Sequence, residues 1–583
     1  MNGTQLIERG FQIHSAKMKS DAADGLEEGN TSLNADQILQ QIVHPYGLWQ
    51  WSIALLLMFS CSSLMTFPVY ANSASPHRCR MEERVEDYIV RQNFSFEYVA
   101  SRIGHWGNSS PHWTTHLPGC HRYKAEWDTV DLETIFFSEK KHFQNFTPLE
   151  NCGLGYVHED NPRYYPGSAS ESFETVCDRS WLVPLGTSIY MVGAAVGNIV
   201  AGWCAGHFGR RKALIFCSVI EVVSGIWTSL SPNYTSYIIA RGVMGAASTG
   251  KLNIAGILVL ELTVARYRST FRSLLSFGVS CMYRAMMVVL AYYITEWKWL
   301  NLAIMSPNVL SIFYLFVVPE SPRWLFSQKQ FTYGVRVFRT AYRWNHLNRP
   351  KDKWAQFRRL SLVASREEQN CKAITTSNEA KPCSCTTVLH LLRNRQMLKT
   401  VILSISMMTG MSMVFSGLLF YARAVRHYVY LVGLLNAVVA FPGVVLFFLL
   451  YRLVRHRKNP LMYLIGLTAL VLGSSALYVM VWQPTTDLVL MVFSNVALFL
   501  MQAALNMSVL YIPELFSSEF RTQGFGLILC FSKLGGITCS FVNILDYRIL
   551  HGTPLLVYAC VMFLALISTA FLPDTSGENL PDN

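Results

Sequence analysis

Apolar positions along the chain gather into blocks of about 20 residues, the length that crosses a bilayer hydrocarbon core as a helix. Twelve such blocks occur, at about 48–70, 181–204, 212–230, 237–260, 273–294, 299–319, 399–421, 429–451, 461–481, 488–511, 524–545 and 553–572. In lipid each backbone amide must find its partner within the segment, so each block is expected to be a helix. Two long hydrophilic stretches interrupt the series, 71–180 after the first block and 320–398 after the sixth. The pattern therefore predicts two six-helix halves, 48–70 with 181–319 and 399–572, flanked by polar ends at 1–47 and 573–583. The first 35 residues carry no apolar core, so no cleavable signal is expected and the first block acts as its own insertion signal.

Composition narrows the class. The 583 residues are 51% hydrophobic and only 15% charged. A soluble chain carries nearer a quarter charged residues, and a disordered one needs low hydrophobicity. The net charge of +12 is concentrated in one set of loops. These hold Arg210, Arg211 and Lys212; Arg266, Arg268 and Arg272; Arg452, Arg455, Arg457 and Lys458; and Arg521. The stretch 320–399 adds 16 Lys and Arg against 5 Asp and Glu on the same side. Arg423, Arg426 and Arg548 fall in the opposite loops without reversing the contrast. The excess of positive charge assigns the basic side, and both termini with it, to the cytoplasm. The partner of this basic charge is the lipid surface, not nucleic acid.

The segment 71–180 then lies outside. It contains four cysteines, Cys79, Cys120, Cys152 and Cys177, an even set that suggests two disulfides with three pairings open. It also holds three glycosylation sequons, at Asn93, Asn108 and Asn145. Its histidines His105, His112, His116 and His121 lack ligand spacing, and Cys383 and Cys385 in the linker form a lone C-x-C without a second pair, so no metal site is expected.

Several short motifs recur at fixed places relative to the blocks. They are Gly47-Leu48-Trp49-Gln50 before the first; Cys177-Asp178-Arg179-Ser180-Trp181 before the second; and Gly202-Trp203-Cys204-Ala205-Gly206-His207-Phe208-Gly209-Arg210-Arg211-Lys212 after it. Pro319-Glu320-Ser321-Pro322-Arg323-Trp324-Leu325 follows the sixth, Glu514-Leu515-Phe516 through Arg521 the tenth, and Leu572-Pro573-Asp574-Thr575 the twelfth. In this order the set resembles the organic cation, anion and carnitine transporters (solute carrier family 22) of the major facilitator superfamily, over nearly the whole chain from about residue 36. The resemblance implies an all-α membrane protein of the major facilitator fold, with twelve transmembrane helices and a cavity between halves that rock in alternating access. Glu261, Glu320 and Glu514 stand where they could pair with Arg210, Arg323 and Arg521 as a cytoplasmic gate. Two departures weaken that gate. The family's Asp in the loop after the second block is His207, which introduces a pH-sensitive group, and the matching loop after the eighth reads Tyr451-Arg452-Leu453-Val454-Arg455-His456, without acid or glycine.

Ionisable groups inside lipid are costly and usually face a cavity. Glu221, Arg241, Lys251, Arg284 and Lys533 occupy the blocks, Arg241 near an end where snorkelling or capping is an equal reading. Lys533 matches the position where the resemblance implies Asp in cation carriers and Arg in anion and carnitine carriers. Asn506 replaces the Glu of the cation branch, while the Lys of the anion branch is missing from Ala440-Phe441-Pro442-Gly443-Val444. Lys533, Asn506, Arg284 and Lys251 are thus the polar candidates for cargo, with Phe415 and Tyr430 as apolar wall; a structural pairing of the cations with Glu221 is the competing reading. The expected function is a plasma-membrane carrier of small organic anions or zwitterions. The rivals are an organic cation carrier and a non-transporting receptor or scaffold. The external loop is also a candidate surface for homo-oligomer formation. No P-loop occurs, and neither enzyme chemistry nor a cofactor is expected.

Overall fold

The structure, a computed structural model, describes residues 35–43, 46–61, 64–72, 75–104, 119–137, 148–160, 167–264, 267–346, 353–374, 395–421, 429–454, 456–484, 487–516 and 521–574. The sequons at Asn108 and Asn145, the histidines His105, His112 and His116, the pair Cys383 and Cys385, the loop arginines Arg266, Arg423, Arg426 and Arg455, and the side chains of Arg521 and Arg548 lie outside the described residues.

Eleven helices among them are long and apolar enough to span a bilayer. Spans one to five are Leu48–Ala71, Cys177–Phe208, Arg210–Ser229, Tyr234–Glu261 and Arg268–Tyr293. Spans seven to twelve are Arg395–Tyr421, Val429–Leu453, Lys458–Trp482, Leu488–Glu514, Gly524–Val542 and Thr553–Ala570. The sixth block departs from a single helix. It runs as an α-helix over Trp297–Met305 and continues as a 3₁₀-helix over Ser306–Leu315. Pro307, which lacks an amide donor, sits at the change. Because a 3₁₀ turn rises faster per residue, the two pieces together reach about 34 Å, enough to cross. The first span is also interrupted: its helix Leu48–Ser60 stops at Cys61, and a 3₁₀ turn Leu64–Thr66 leads into Pro68–Ala71.

Lipid offers no hydrophobic drive to bring helices together, so close approach rests on small residues. A Cβ on Gly193 or Gly197 of span two would strike backbone of Gly242 or Ala246 on span four. Two seams join the halves. Spans two and eleven meet through Ser188 Oγ, which donates to the Ile537 carbonyl at 3.1 Å, and Asn198 Nδ2, which donates to that of Leu529 at 3.3 Å. Spans five and eight meet where the rings of Phe277 and Phe441 lie 5.6 Å apart.

Between spans one and two stands a small separate core of Val85, Val99, Trp127 and Phe136. Strand His77–Cys79 pairs antiparallel with Tyr156–His158, and His121–Tyr123 with Leu149–Asn151. Of the three pairings left open by sequence, the structure joins Cys79 to Cys152 and Cys120 to Cys177. His77 Nε2 lies 3.3 Å from Cys177 Sγ, and burial lowers this imidazole to about 4, so it is neutral. Asn93 is exposed at the left-handed end of helix Glu83–Gln92.

In the linker, helix Phe331–Asn345 ends on a side chain that binds the start of span one. Asn345 Oδ1 accepts from the Trp49 amide at 2.9 Å, and its Nδ2 donates to the Val43 carbonyl at 3.0 Å and to Gln50 Oε1 at 3.1 Å. Any side chain on Gly47 would occupy the position of the Asn345 amide. This explains why the entry motif pairs a glycine with Gln50.

Candidate functional site

Of the residues expected to form a gate, Arg210, Arg211, Glu261, Glu320 and Arg323 assemble at the linker end of the first half. Gly209 turns the chain sharply with φ of 103°, which favours glycine, and so sets Arg210 over the end of span four. Arg210 grips Glu261 through two nitrogens, at 3.0 and 3.2 Å, and donates to the Ala205 carbonyl at 2.8 Å. Glu320 does not take Arg323 as its partner. Its carboxylate accepts from the amides of Arg210 at 2.7 Å and Arg211 at 3.2 Å, capping span three where the helix dipole favours an anion. Burial raises this carboxyl above its usual range, while the backbone donors oppose the rise. Arg323 donates to the Thr263 carbonyl at 3.1 Å. Arg211 reaches the Leu315 carbonyl. Glu514 lies 3.9 Å from Arg457, whose guanidinium covers the Tyr451 ring. His207 is exposed and stacks on Trp203. The contacts of Arg210, Glu261, Glu320 and Arg323 thus tie spans two, three, four and six of one half to each other. The sequence had suggested side-chain pairs across the gate. Glu320 found backbone instead, because the short turn at Gly209 presents two free amides at the helix start.

Lys251 and Glu221 form a second unit deep in the same half, both fully buried, with Nζ 3.0 Å from Oε2. Lys251 also donates to the Ser60 carbonyl at 2.7 Å and to Asn308 Oδ1 at 2.9 Å. The ammonium thus has three oxygen acceptors from spans one, three and six. Structural pairing, the competing reading of this lysine, describes its surroundings; none of its donors is left for cargo.

Lys533 is placed differently. Phe531, Leu534, Thr538 and Phe541 form the exposed stripe of span eleven, and Lys533 falls off that stripe. One turn further along lie Gly536, against Met191, and Ile537, bonded to Ser188, so the lysine stands beside the seam with span two. It is half-buried and makes no hydrogen bond or ion pair among the described residues. At the other seam Arg284 lies over the Phe415 ring at 5.1 Å, joining spans five and seven. Tyr430 stacks with Tyr70 at 6.2 Å and meets Tyr292 edge-on at 5.8 Å, an aromatic group from spans one, five and eight. Asn506 is buried, and its Nδ2 donates back to the Gln502 carbonyl at 2.8 Å; no hydrogen bond joins it to Lys533 among the described residues.

Two features escaped sequence reasoning. Arg241 is 1% exposed, not snorkelling, with its guanidinium between the rings of Phe67 at 5.1 Å and Tyr190 at 4.6 Å. Its signal was its depth: the helix begins at Tyr234, two turns earlier. The other is a cluster at the far end of the second half. His551 Nδ1 lies 2.8 Å from Asp546 and Nε2 lies 3.4 Å from Asp487, while Tyr421 donates to Asp546 at 2.7 Å. Burial alone would lower this imidazole. Hydrogen bonding and charge from Asp487 and Asp546 outweigh burial and hold it up at about 9. The folded value thus exceeds the ordinary one of 6.5, so the stabilisation is complete below 6.5 and is lost as pH rises to about 9. After discounting for solvent around the part-exposed ring, the expected loss is about 1–2 kcal/mol. Melting curves across that window should fall for the native protein and flatten for His551→Gln; a flat native profile would reject the clamp.

Comparison with known proteins agrees with this architecture. The family profile described as "Sugar (and other) transporter" matches residues 142–582. "Solute carrier family 22 member 1" of Oryctolagus cuniculus is 26% identical, over 94% of this chain and 94% of that protein. "Solute carrier family 22 member 2" of Homo sapiens is 26% identical over 88% of this chain and 87% of its own length. "Organic cation/carnitine transporter 2" of Homo sapiens is 25% identical over 92% and 91%. Among solved structures, the proton:xylose symporter XylE bound to 6-bromo-6-deoxy-D-glucose superposes with a TM-score of 0.55 at 15% identity, covering 91% of this chain and 98% of that one. That likeness concerns the fold alone.

Proposed function

Because the chain belongs to the sugar (and other) transporter family and is a solute carrier 22 type member of the major facilitator superfamily, we propose that it carries small organic anions or zwitterions by alternating access. One observation carries the polarity. Lys533, Arg284 and Arg241 have no carboxylate partner among the described residues, and Glu221, the acid deep within the spans, is held by Lys251. A site with uncompensated positive charge favours a carboxylate or sulfate over an ammonium. Lys533 pairs with the cargo's anionic group, Phe415 and Tyr430 cover its apolar part, and Asn506 turns its amide toward cargo as the halves move. Arg284 adds positive potential from the opposite seam. The linker end, with both termini, faces the cytoplasm, and the disulfide-bearing segment, with Asn93, Asn108 and Asn145 as glycosylation acceptors, faces outward at the plasma membrane.

One relative is named for organic cations together with carnitine, so cationic cargo is the reading to set against this one. Side-by-side uptake of labelled organic anions, carnitine and tetraethylammonium into expressing cells separates them. Anion or carnitine uptake above that of mock cells is the expected result. Uptake of tetraethylammonium alone would reverse the polarity, and surface expression without any uptake would favour a receptor or scaffold.

A further inference from the structure

We infer that the disulfide between Cys120 and Cys177 conceals a zinc site: once it is reduced, the two thiolates and His77 Nε2 bind a single Zn²⁺. The ligand atoms of these three residues all lie within 4.8 Å of one another. Nε2 stands 3.3 Å from Cys177 Sγ and 3.7 Å from Cys120 Sγ. Tetrahedral zinc, with bonds of about 2.3 Å to sulfur and about 2.0–2.1 Å to nitrogen, sets N···S separations of about 3.5–3.6 Å. The imidazole therefore already stands where a shared metal would hold it, and only the sulfurs must part, to about 3.8 Å.

The imidazole is also oriented as a ligand. Its Nδ1 lies 3.3 Å from the Ser75 carbonyl, which can only accept, so Nδ1 carries the proton. His77 is neutral, as its burial dictates, and the lone pair is left on Nε2, toward the sulfurs. A metal-bound histidine is held in this way, its other nitrogen donating to a backbone carbonyl. Opposite His77 in the strand register is His158, whose Nδ1 lies 3.2 Å from Ser75 Oγ. His158 Nε2 is buried and has no hydrogen-bond partner among the described residues, a second nitrogen donor on the paired strand. The other disulfide lacks such a neighbour: Cys152 Sγ has the Gly119 carbonyl at 3.8 Å. His77 and Cys177 are half-buried, so reductant and metal reach them from outside. A phosphine reductant supplies the two electrons and becomes its oxide; water gives the oxygen and the two protons of the thiols, and zinc then displaces those protons to solvent. The metal replaces the covalent link between the strand beginning at His121 and the start of span two. This site stands apart from the cargo reading and does not depend on it.

The test uses the purified full chain in lipid nanodiscs, reduced with a phosphine, freed of it and kept without oxygen. Titrated Co²⁺ should bind as a single ion per chain, with thiolate-to-cobalt charge-transfer and tetrahedral d–d bands that Zn²⁺ bleaches. Protein kept oxidised should show neither band. Zinc should shield Cys120 and Cys177 from iodoacetamide, read by peptide mass mapping, while Cys79 and Cys152 are alkylated. That measurement needs no variant, so it stays decisive if the variants fail to fold. His77→Ala should weaken zinc binding by more than about tenfold, whereas Cys79→Ser combined with Cys152→Ser should leave it unchanged. Bands that appear without reduction, shielding of Cys383 and Cys385 in place of Cys120 and Cys177, or native affinity in His77→Ala would overturn the proposal.

Discussion

Lys533→Asp is expected to cut uptake of a labelled organic anion at least tenfold, with Lys533→Arg close to native. The argument is electrostatic. Unit charges about 4 Å apart interact by about 4 kcal/mol at an effective dielectric near 20. Water admitted to the site in the open states of the cycle would screen part of that, leaving about 1.5–3 kcal/mol, or roughly 10- to 100-fold in affinity. Reversing the sign removes the attraction and adds repulsion. The effect should appear first in KM, since the pairing is made with bound cargo before the halves rock, and surface labelling should report equal amounts of both variants. Because Lys533 has no internal partner among the described residues, the substitution breaks no ion pair and should leave folding largely intact. Anion uptake that is indifferent to Lys533→Asp would remove the central support for anionic cargo.

Legibility in the sequence followed the range of the interactions. Helices satisfy their own backbone locally, so the apolar blocks marked them well; the sixth deviated where Pro307 lacks an amide donor, and the first where its helix ends at Cys61, ahead of a new start at Pro68. Arg210 and Glu261 were readable as partners because both end helices on one face. Glu320 was misread because a carboxylate accepts from amides as readily as from guanidinium, and sequence does not mark which amides are free. The disulfides could not be paired by counting, since three arrangements satisfy four cysteines. Tyr421, Asp487 and the nearby pair Asp546 and His551 come from three separate stretches, and only the packing of the second half brings them together.

The largest expected loss of stability is at the buried pair. Glu221 and Lys251 have side-chain exposures of 0% and 1%, and the ammonium is also held by the Ser60 carbonyl and Asn308. Removing one partner strands the other charge in a dry interior, a cost of about 3–5 kcal/mol, whereas replacing both with apolar groups of similar volume is often neutral. Glu221→Leu and Lys251→Met should therefore each lower Tm by several degrees and reduce surface abundance, and the double variant should recover most of both. The recovery will be incomplete, because Asn308 and the Ser60 carbonyl lose their shared donor and a lost buried hydrogen bond costs about 1 kcal/mol. A double variant as unstable as the worse single would contradict a mutual neutralisation. Uptake by the recovered double variant then separates the two roles assigned to this lysine. If anion transport persists when neither charge remains, the pair holds spans one, three, four and six together and takes no part in cargo recognition. If transport is lost from a stable, surface-expressed protein, Lys251 exchanges Glu221 for cargo during the cycle, and the buried pair is the resting state of a binding site.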